Sequence, residues 1–219
     1  MHFFALNKCL KRMIKEKKST EVRGKIIKTA RDLFIKNGLN GTSIRDIANA
    51  SGTNVAMVNY YFQSKDNLFE VIFKDTFDLL AERVFSAIDS DLPFFDMIRK
   101  WVYSYYDTLM EDPQLPIFIL NELSQRKLTF EEQLRMKNPY QVFAKLAIRI
   151  NEEEQKGTIR KLPVSDFLLN LVSLSIFPFV FGPVATTFLN LSEKEYKELL
   201  ENHKEYVVDF IINAIKIKD

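Results

Sequence analysis

Ser43-Ile44-Arg45-Asp46-Ile47-Ala48-Asn49-Ala50-Ser51-Gly52-Thr53-Asn54-Val55-Ala56-Met57-Val58-Asn59-Tyr60-Tyr61-Phe62 is the stretch on which the reading of the fold turns. Thr42-Ser43 can cap a short helix running to Ala50, with Ile44, Ile47 and Ala48 facing inward. Ser51-Gly52-Thr53 makes a turn, and a second short helix is expected from about Asn54 to Tyr60. Ala48 is small, as two closely crossing helices require. Gly52 can take the positive φ of a tight turn, and Val58 is the apolar residue that seats the second helix on the first. This is the grammar of a helix-turn-helix, although short helix pairs in ordinary bundles can share it.

Helical periodicity continues on both sides. Upstream, Val22, Ile26, Ile27, Ala30, Leu33 and Phe34 recur at three- and four-residue steps from near Ser19, and Asn37-Gly38 is a stop signal. Downstream, Ser64 can cap a long helix whose stripe is Phe69, Ile72, Phe73, Phe77, Leu80, Val84 and Ile88. Further helices are expected over about Pro93 to Glu111, Gln114 to Ser124, and Thr129 to Gln155 with a bend at Pro139. Two more follow, Val164 to Phe177 and Ser192 to Lys216. No run reads as a strand, a repeat or a low-complexity tract. The expected class is all-α.

Composition agrees. The 219 residues are 47% hydrophobic and 27% charged, which suits a folded chain and excludes a disordered or collagen-like one. Six Gly and seven Pro are too few for the many turns of a β-sandwich. One Cys and two His cannot build an internal disulfide or a His/Cys metal site, so neither metal nor cofactor is expected, and the cysteine usage fits a reducing cytoplasm. The net charge of +2 hides an asymmetry: residues 1–65 carry a balance of +9 and residues 66–219 a balance of −7. Such a split points to an anionic partner for one part, with DNA, RNA and a membrane surface as candidates. The organisation expected is a mobile basic leader over 1–18, a helix-turn-helix domain over 19–65 and a helical domain over 66–219. Residues 1–12 are expected to be dispensable, with Met13 a candidate start.

Phe167 to Ser192 contains no charged residue and is long enough to span a bilayer. Asn170, Ser173, Ser175, Pro178, Gly182 and Pro183 interrupt it, so it reads better as a buried helix that breaks at Pro178. The N-terminal apolar residues are followed, not preceded, by positive charge, the wrong order for a secretory signal.

A helix ending in Asn37-Gly38, then Gly41-Thr42-Ser43-Ile44, Ile47-Ala48, Gly52 and Tyr60-Tyr61-Phe62-Gln63-Ser64-Lys65-Asp66-Asn67-Leu68-Phe69, resembles the DNA-binding domain of TetR-family transcriptional regulators. The match spans about Ser19 to Phe69. It implies an N-terminal three-helix DNA-binding domain followed by a helical domain for ligand binding and dimerisation. On this resemblance Thr42 and Ser43 would clamp the DNA backbone at a helix N-terminus, helped by Arg45. Thr53, Asn54, Val55, Ala56, Met57 and Asn59 would face the major groove, the asparagines on base edges and the apolar residues on thymine methyls. Tyr60 and Lys65 would contact phosphate, while Tyr61 and Phe62 pack. Asn59 and Val55 depart from the commonest family form, which carries an aromatic and a Lys there, so the recognition helix has no basic residue.

The same resemblance implies a cytoplasmic homodimer, most simply a repressor, released from double-stranded operator DNA by a small, largely apolar effector. Ligand ordering of the central helices would move the helix that begins at Lys65 and change the separation of the two recognition helices. Among the aromatic residues crowding those helices, Trp101, Tyr105, Phe118, Phe143 and Phe177 are the candidate ligand contacts. Leu168, Leu171, Val172, Tyr206 and Phe210 are the candidate dimer contacts, on the last two helices. Neighbouring carboxylates such as Asp89/Asp91 and Glu152-Glu153-Glu154 read as solvated helix ends rather than acid/base pairs. The rival functions are a membrane-associated protein using 167–192, and, more weakly, an enzyme using the aromatic cavity; no nucleophile or phosphate-loop motif supports the second.

Overall fold

The computed structural model describes residues 2–125, 132 and 134–217, with side chains for 17–121, 132 and 134–217. Nine helices are bounded among the described residues: α1 (His2–Asn37), α2 (Ile44–Ser51), α3 (Val55–Phe62), α4 (Lys65–Ile88), α5 (Phe94–Glu111), α6 (Leu115–Gln125), α7 (Pro139–Gln155), α8 (Val164–Phe188) and α9 (Glu193–Ile215). The described residues hold no strand, only an isolated antiparallel bridge between Ile159 and Lys216. The all-α expectation holds.

The chain divides into two compact units, residues 1–75 and 76–219, with the division falling inside α4. In the first unit Ile26, Ala30 and Phe34 form the buried stripe of α1, and the core is completed by Ile47, Ala48, Val58, Leu68, Phe69, Ile72 and Phe73. The Phe34 and Phe69 rings meet edge to face, with centroids 5.3 Å apart. Such a pair adds to plain area burial because the positive ring edge meets the negative face.

In the second unit α5 lies at the centre, packed on α8 and α9. Its buried residues Phe94, Met97, Ile98, Trp101, Val102, Tyr105, Tyr106 and Leu109 follow the helical repeat over a wide arc, as a helix covered on several sides must. Arg149 on α7 donates to the carbonyls of Ile88, Ser90 and Leu92 and so closes the C-terminal end of α4.

Three expectations about elements need correcting. First, α1 starts at His2, although apolar positions recur only from near Ser19. Apolar periodicity marks the face that a helix packs, and helical backbone can run beyond the stretch that shows it. Second, the helix expected from Thr129 with a bend at Pro139 is divided: Leu134–Met136 is helical, Asn138 sits at φ 52, and α7 starts afresh with Pro139 in its first turn. Proline is well tolerated there, whereas an interior proline loses a hydrogen bond. The beginning of that expected helix, residues 129–131, lies outside the described residues.

Third, α8 does not break at Pro178; it continues through Pro178 and Pro183 to Phe188. Neighbouring groups bind the backbone around the interruptions. Tyr196 Oη donates to the Pro178 carbonyl at 2.6 Å, and the Thr186 and Thr187 hydroxyls both donate to the Pro183 carbonyl at 3.1 Å. Gly182 lets the α9 ring approach, since a Cβ there would lie 3.1 Å from Tyr196 Cε1. Tertiary contacts thus override a local helix-breaking preference.

Candidate nucleic-acid interface and ligand cavity

The helix-turn-helix is built by caps. Ser43 is the N-cap of α2, its Oγ accepting from Asp46 N–H while the Asp46 carboxylate accepts from Ser43 N–H at 2.8 Å. This reciprocal box satisfies donors that a helix start leaves open, and the Ser43 hydrogen bonds hold the Asp46 pKa below its usual value. Gly52 ends α2 at φ 64, with its N–H on the Ala48 and Asn49 carbonyls. Gly41 is required by space: a Cβ there would lie 2.2 Å from the Asn37 carbonyl oxygen. Asn54 then caps α3, its Oδ1 accepting from Met57 N–H at 2.8 Å.

Only Val58 and Phe62 of α3 are buried, so Val55, Ala56, Met57, Asn59 and Tyr60 form an outward face. Tyr60 is 80% exposed. Tyr61 shares a hydrogen bond with Ser19 at 2.9 Å, which ties α3 to α1. The Arg23 guanidinium lies over the Phe62 ring at 5.4 Å. The packing role expected of Tyr61 and Phe62 matches these contacts.

Five candidate contacts have structural partners that bear on their proposed role. Thr42 is 2% exposed and its hydroxyl donates to the Gly38 and Leu33 carbonyls, so it closes the α1–α2 loop and cannot clamp phosphate. Ser43 is exposed, but its hydroxyl and N–H are committed to Asp46, whose carboxylate occupies the end where a phosphate would seat. Thr53 shares a hydrogen bond with Ser51 inside the turn. Asn54 has its oxygen engaged by the cap, so its amide N–H₂ is the group left unengaged by that bond. Lys65 keeps its charge near this face, but its ammonium donates to the Leu39 carbonyl at 2.8 Å. Arg45 is exposed on α2, and Arg23, Lys25 and Lys28 are exposed along α1.

The second unit contains a partly open cavity of about 740 Å³. Its walls come from α4 (Phe77, Leu80, Val84, Ile88), α5 (Trp101, Tyr105, Leu109), α6, α7 (Val142, Phe143, Leu146) and α8 (Leu168, Val172, Ile176, Phe177). Trp101, Tyr105, Phe143 and Phe177 are therefore brought together as expected, whereas Phe118 is buried elsewhere and is not in the lining. The α4 wall was legible only as an apolar stripe, because periodicity cannot separate core from cavity.

The candidate dimer contacts divide as well. Leu171 is 1% exposed in the core of its own chain and so is unavailable to a second copy, whereas Leu168 and Val172 are half-buried and line the cavity. Tyr206 (71% exposed) and Phe210 stand outward on α9. Sequence reasoning missed their companions on α8: Leu169, Phe181, Val184 and Phe188 are exposed, and Phe181 stacks on exposed Phe177 at 5.4 Å. By length and composition α8 is also apolar enough to cross a membrane.

Comparison with known proteins places this architecture. The family model for bacterial regulatory proteins of the tetR family matches residues 26–72, which cover the helix-turn-helix and its flanks. The chain is 26% identical over 193 residues to a probable HTH-type transcriptional regulator, YttP, of Bacillus subtilis, covering 84% of this chain and 91% of that one. In fold it resembles the ketosteroid transcriptional regulator KstR2 of Mycobacterium tuberculosis (TM-score 0.68, 15% identity, 90% and 95% of the two chains). It also resembles a putative fatty acid metabolism regulator of Clostridium perfringens (TM-score 0.67, 15% identity, 89% and 100%). All three carry the name of a regulator. With its capped helix-turn-helix in the first unit and an all-helical second unit, the chain carries a tetR-family DNA-binding domain over residues 26–72 and is similar over most of its length to a probable transcriptional regulator.

Proposed function

We propose that the protein is a cytoplasmic, homodimeric repressor that leaves its operator when a small, largely apolar ligand enters the cavity of the second unit. The observation that carries this reading is the double use of α4. Its residues Leu68, Phe69, Ile72 and Phe73 belong to the core beside the helix-turn-helix, and Phe77, Leu80, Val84 and Ile88 line the cavity. A ligand that shifts the later part of one continuous helix acts on the element that carries the earlier part. For such coupling, ligand and operator must weaken each other by the same factor.

In this reading α3 enters the major groove with Val55, Ala56, Met57 and Asn59 toward base edges, and the Asn54 amide donates beside them. Arg45, Tyr60 and Lys65 serve the phosphates. The exposed apolar residues of α8 and α9 pair across a two-fold axis, since a patch of this kind marks an association surface. A membrane-facing α8 is the alternative that its length and hydropathy favour; fractionation without detergent separates the two, with the repressor reading requiring the protein in the supernatant.

The deciding experiment selects binding sites from a random duplex pool. It then titrates the selected operator by anisotropy with and without fractions of an organic cell extract. One fraction is expected to weaken binding at least tenfold. A selected site whose affinity no fraction changes would overturn ligand release.

A further inference from the structure

One side of α1 packs on the helix-turn-helix. Ser19 shares a hydrogen bond with Tyr61, the Arg23 guanidinium lies over the Phe62 ring, and Ile26 and Ala30 are buried in the core. Positions 19, 23, 26 and 30 are three or four residues apart and so share one side of the helix. Helix His2–Lys18 precedes Ser19, and by the rise of an α-helix it extends about 25 Å beyond the contact with α3. Carried back at the same spacing, that side passes through positions 15, 12 and 8, which hold Lys15, Arg12 and Lys8. It is apolar where it packs and basic where it runs past the end of α3. Over residues 1–18 Glu16 is the one acidic residue against six Lys and Arg.

We infer that this basic side of α1 is a second DNA contact, made to the phosphate ridge that passes the C-terminal end of α3. The inference rests on α3 entering the major groove, as proposed above. Because α1 touches α3 at Tyr61 and Phe62, away from its outward residues, DNA and α1 lie on opposite sides of α3. A major groove is about 8.5 Å deep and a helix about 10 Å across, so the groove wall beside a seated α3 rises close to the level of α1. Past Tyr61 no part of α3 stands between the two. The sequence of α3 contains no basic residue, so the phosphates at this end need cations from another element. Contacts of this kind add affinity without reading bases. On this inference residues 1–12, which contain Lys8 and Arg12, are not dispensable.

The test places Lys8→Gln, Arg12→Gln and Lys15→Gln together in the full chain and titrates the selected operator and a random duplex at several salt concentrations. Three lost phosphate contacts should lower the slope of log affinity against log salt by about two to three units. Both duplexes should weaken at least fivefold and by the same factor, with part of the hydroxyl-radical footprint lost and the melting temperature held. Lys17→Gln, on the opposite side of the helix, should leave the slope alone; a fall as large as one third of the triple variant's would show attraction by net charge and overturn the inference. An unchanged slope in the triple variant would also overturn it. If that variant had instead lost binding to phosphatidylglycerol vesicles, the basic side would belong to a lipid surface. Should the triple variant fail to fold, Arg12→Gln alone should take about one unit from the slope, and no fall there would strike the contact. Asn59→Ala, run alongside, separates the two readings. No cost on the operator from Asn59→Ala would sink the groove placement of α3 and this inference with it, whereas a cost there with an unchanged slope in the triple variant would strike the second contact alone.

Discussion

At the scale of single residues, side chains proposed to meet DNA are also structural parts, and this changes what their substitution reports. Asn54 is exposed at the start of α3 and is a candidate base contact. Its Oδ1 also caps α3, so Asn54→Ala should cost about 1 kcal/mol of stability besides weakening operator binding. Asn54→Ser keeps a capping oxygen and removes the amide, so it should melt like the parent yet bind the operator more weakly. Asn59 is exposed in the middle of α3, and Asn59→Ala should cost roughly 1–3 kcal/mol on the operator, little on random DNA, and nothing measurable in a thermal melt. Lys65 is a similar case. Its ammonium braces the Leu39 carbonyl, so Lys65→Ala should lower stability by about 1 kcal/mol, within the range for a hydrogen bond to a charged group at a part-exposed site. The salt slope of binding should also fall by about one unit. Anisotropy titrations at several salt concentrations, paired with melts, separate the two effects; an unchanged slope would remove Lys65 from the phosphate contacts.

At the scale of elements, legibility followed the signals that are local. The α2 cap at Ser43, the turn at Gly52 and the buried Val58 each depend on neighbours within one helical turn, and the helix pair lies within two residues of its expected ends. Lys216 and Ser192 bound α9 as C-cap and N-cap. What escaped depends on distant partners. Nothing near Pro178 announces that Tyr196 and Gly182 will support an unbroken α8. Nothing near Phe118 tells that its side of α6 faces away from the cavity, because helix rotation is fixed by packing rather than by local sequence. The site shows the same division: the outward face of α3 was legible, whereas the occupied hydroxyl of Thr42 depends on a loop closing over it.

One element carries a pH dependence. His203 on α9 is half-buried beside the Tyr106 ring, and burial lowers its pKa. The folded state therefore disfavours imidazolium relative to the unfolded chain, whose histidine titrates near about 6.5. The stability held by neutral His203 is fully present above that value and is lost as pH falls toward the lower folded pKa. Melting temperature should drop as pH falls from about 7.5 to 5.5, with the histidine setting the upper part of that window. His203→Gln should flatten this upper part; an identical pH profile in the variant would show that His203 has no share in it.

At the scale of the whole molecule, the proposed repressor depends on a second copy more than on any single contact. Operators of helix-turn-helix dimers are read as two half-sites about one helical turn apart, so a monomer loses both register and affinity. The surface exposed for pairing is the outward side of α8 and α9; Leu171 is buried in its own chain, and Leu168 and Val172 line the cavity. Tyr206 and Phe210 are one turn apart on α9 and both are largely exposed, so charging them leaves the core of the protomer alone. Tyr206→Glu with Phe210→Glu should give a folded monomer by light scattering, with helicity retained and operator binding lost. The carboxylates would have to desolvate against a second apolar surface, a cost that a pairing interface cannot absorb. Val207, Val208 and Ile211 lie beside them and are buried in the protomer, so Val207→Glu serves as a contrast that should unfold the chain rather than divide the dimer. A double mutant that remains dimeric would move the interface away from this end of α9 and leave the exposed Leu169, Phe181, Val184 and Phe188 of α8 to carry it.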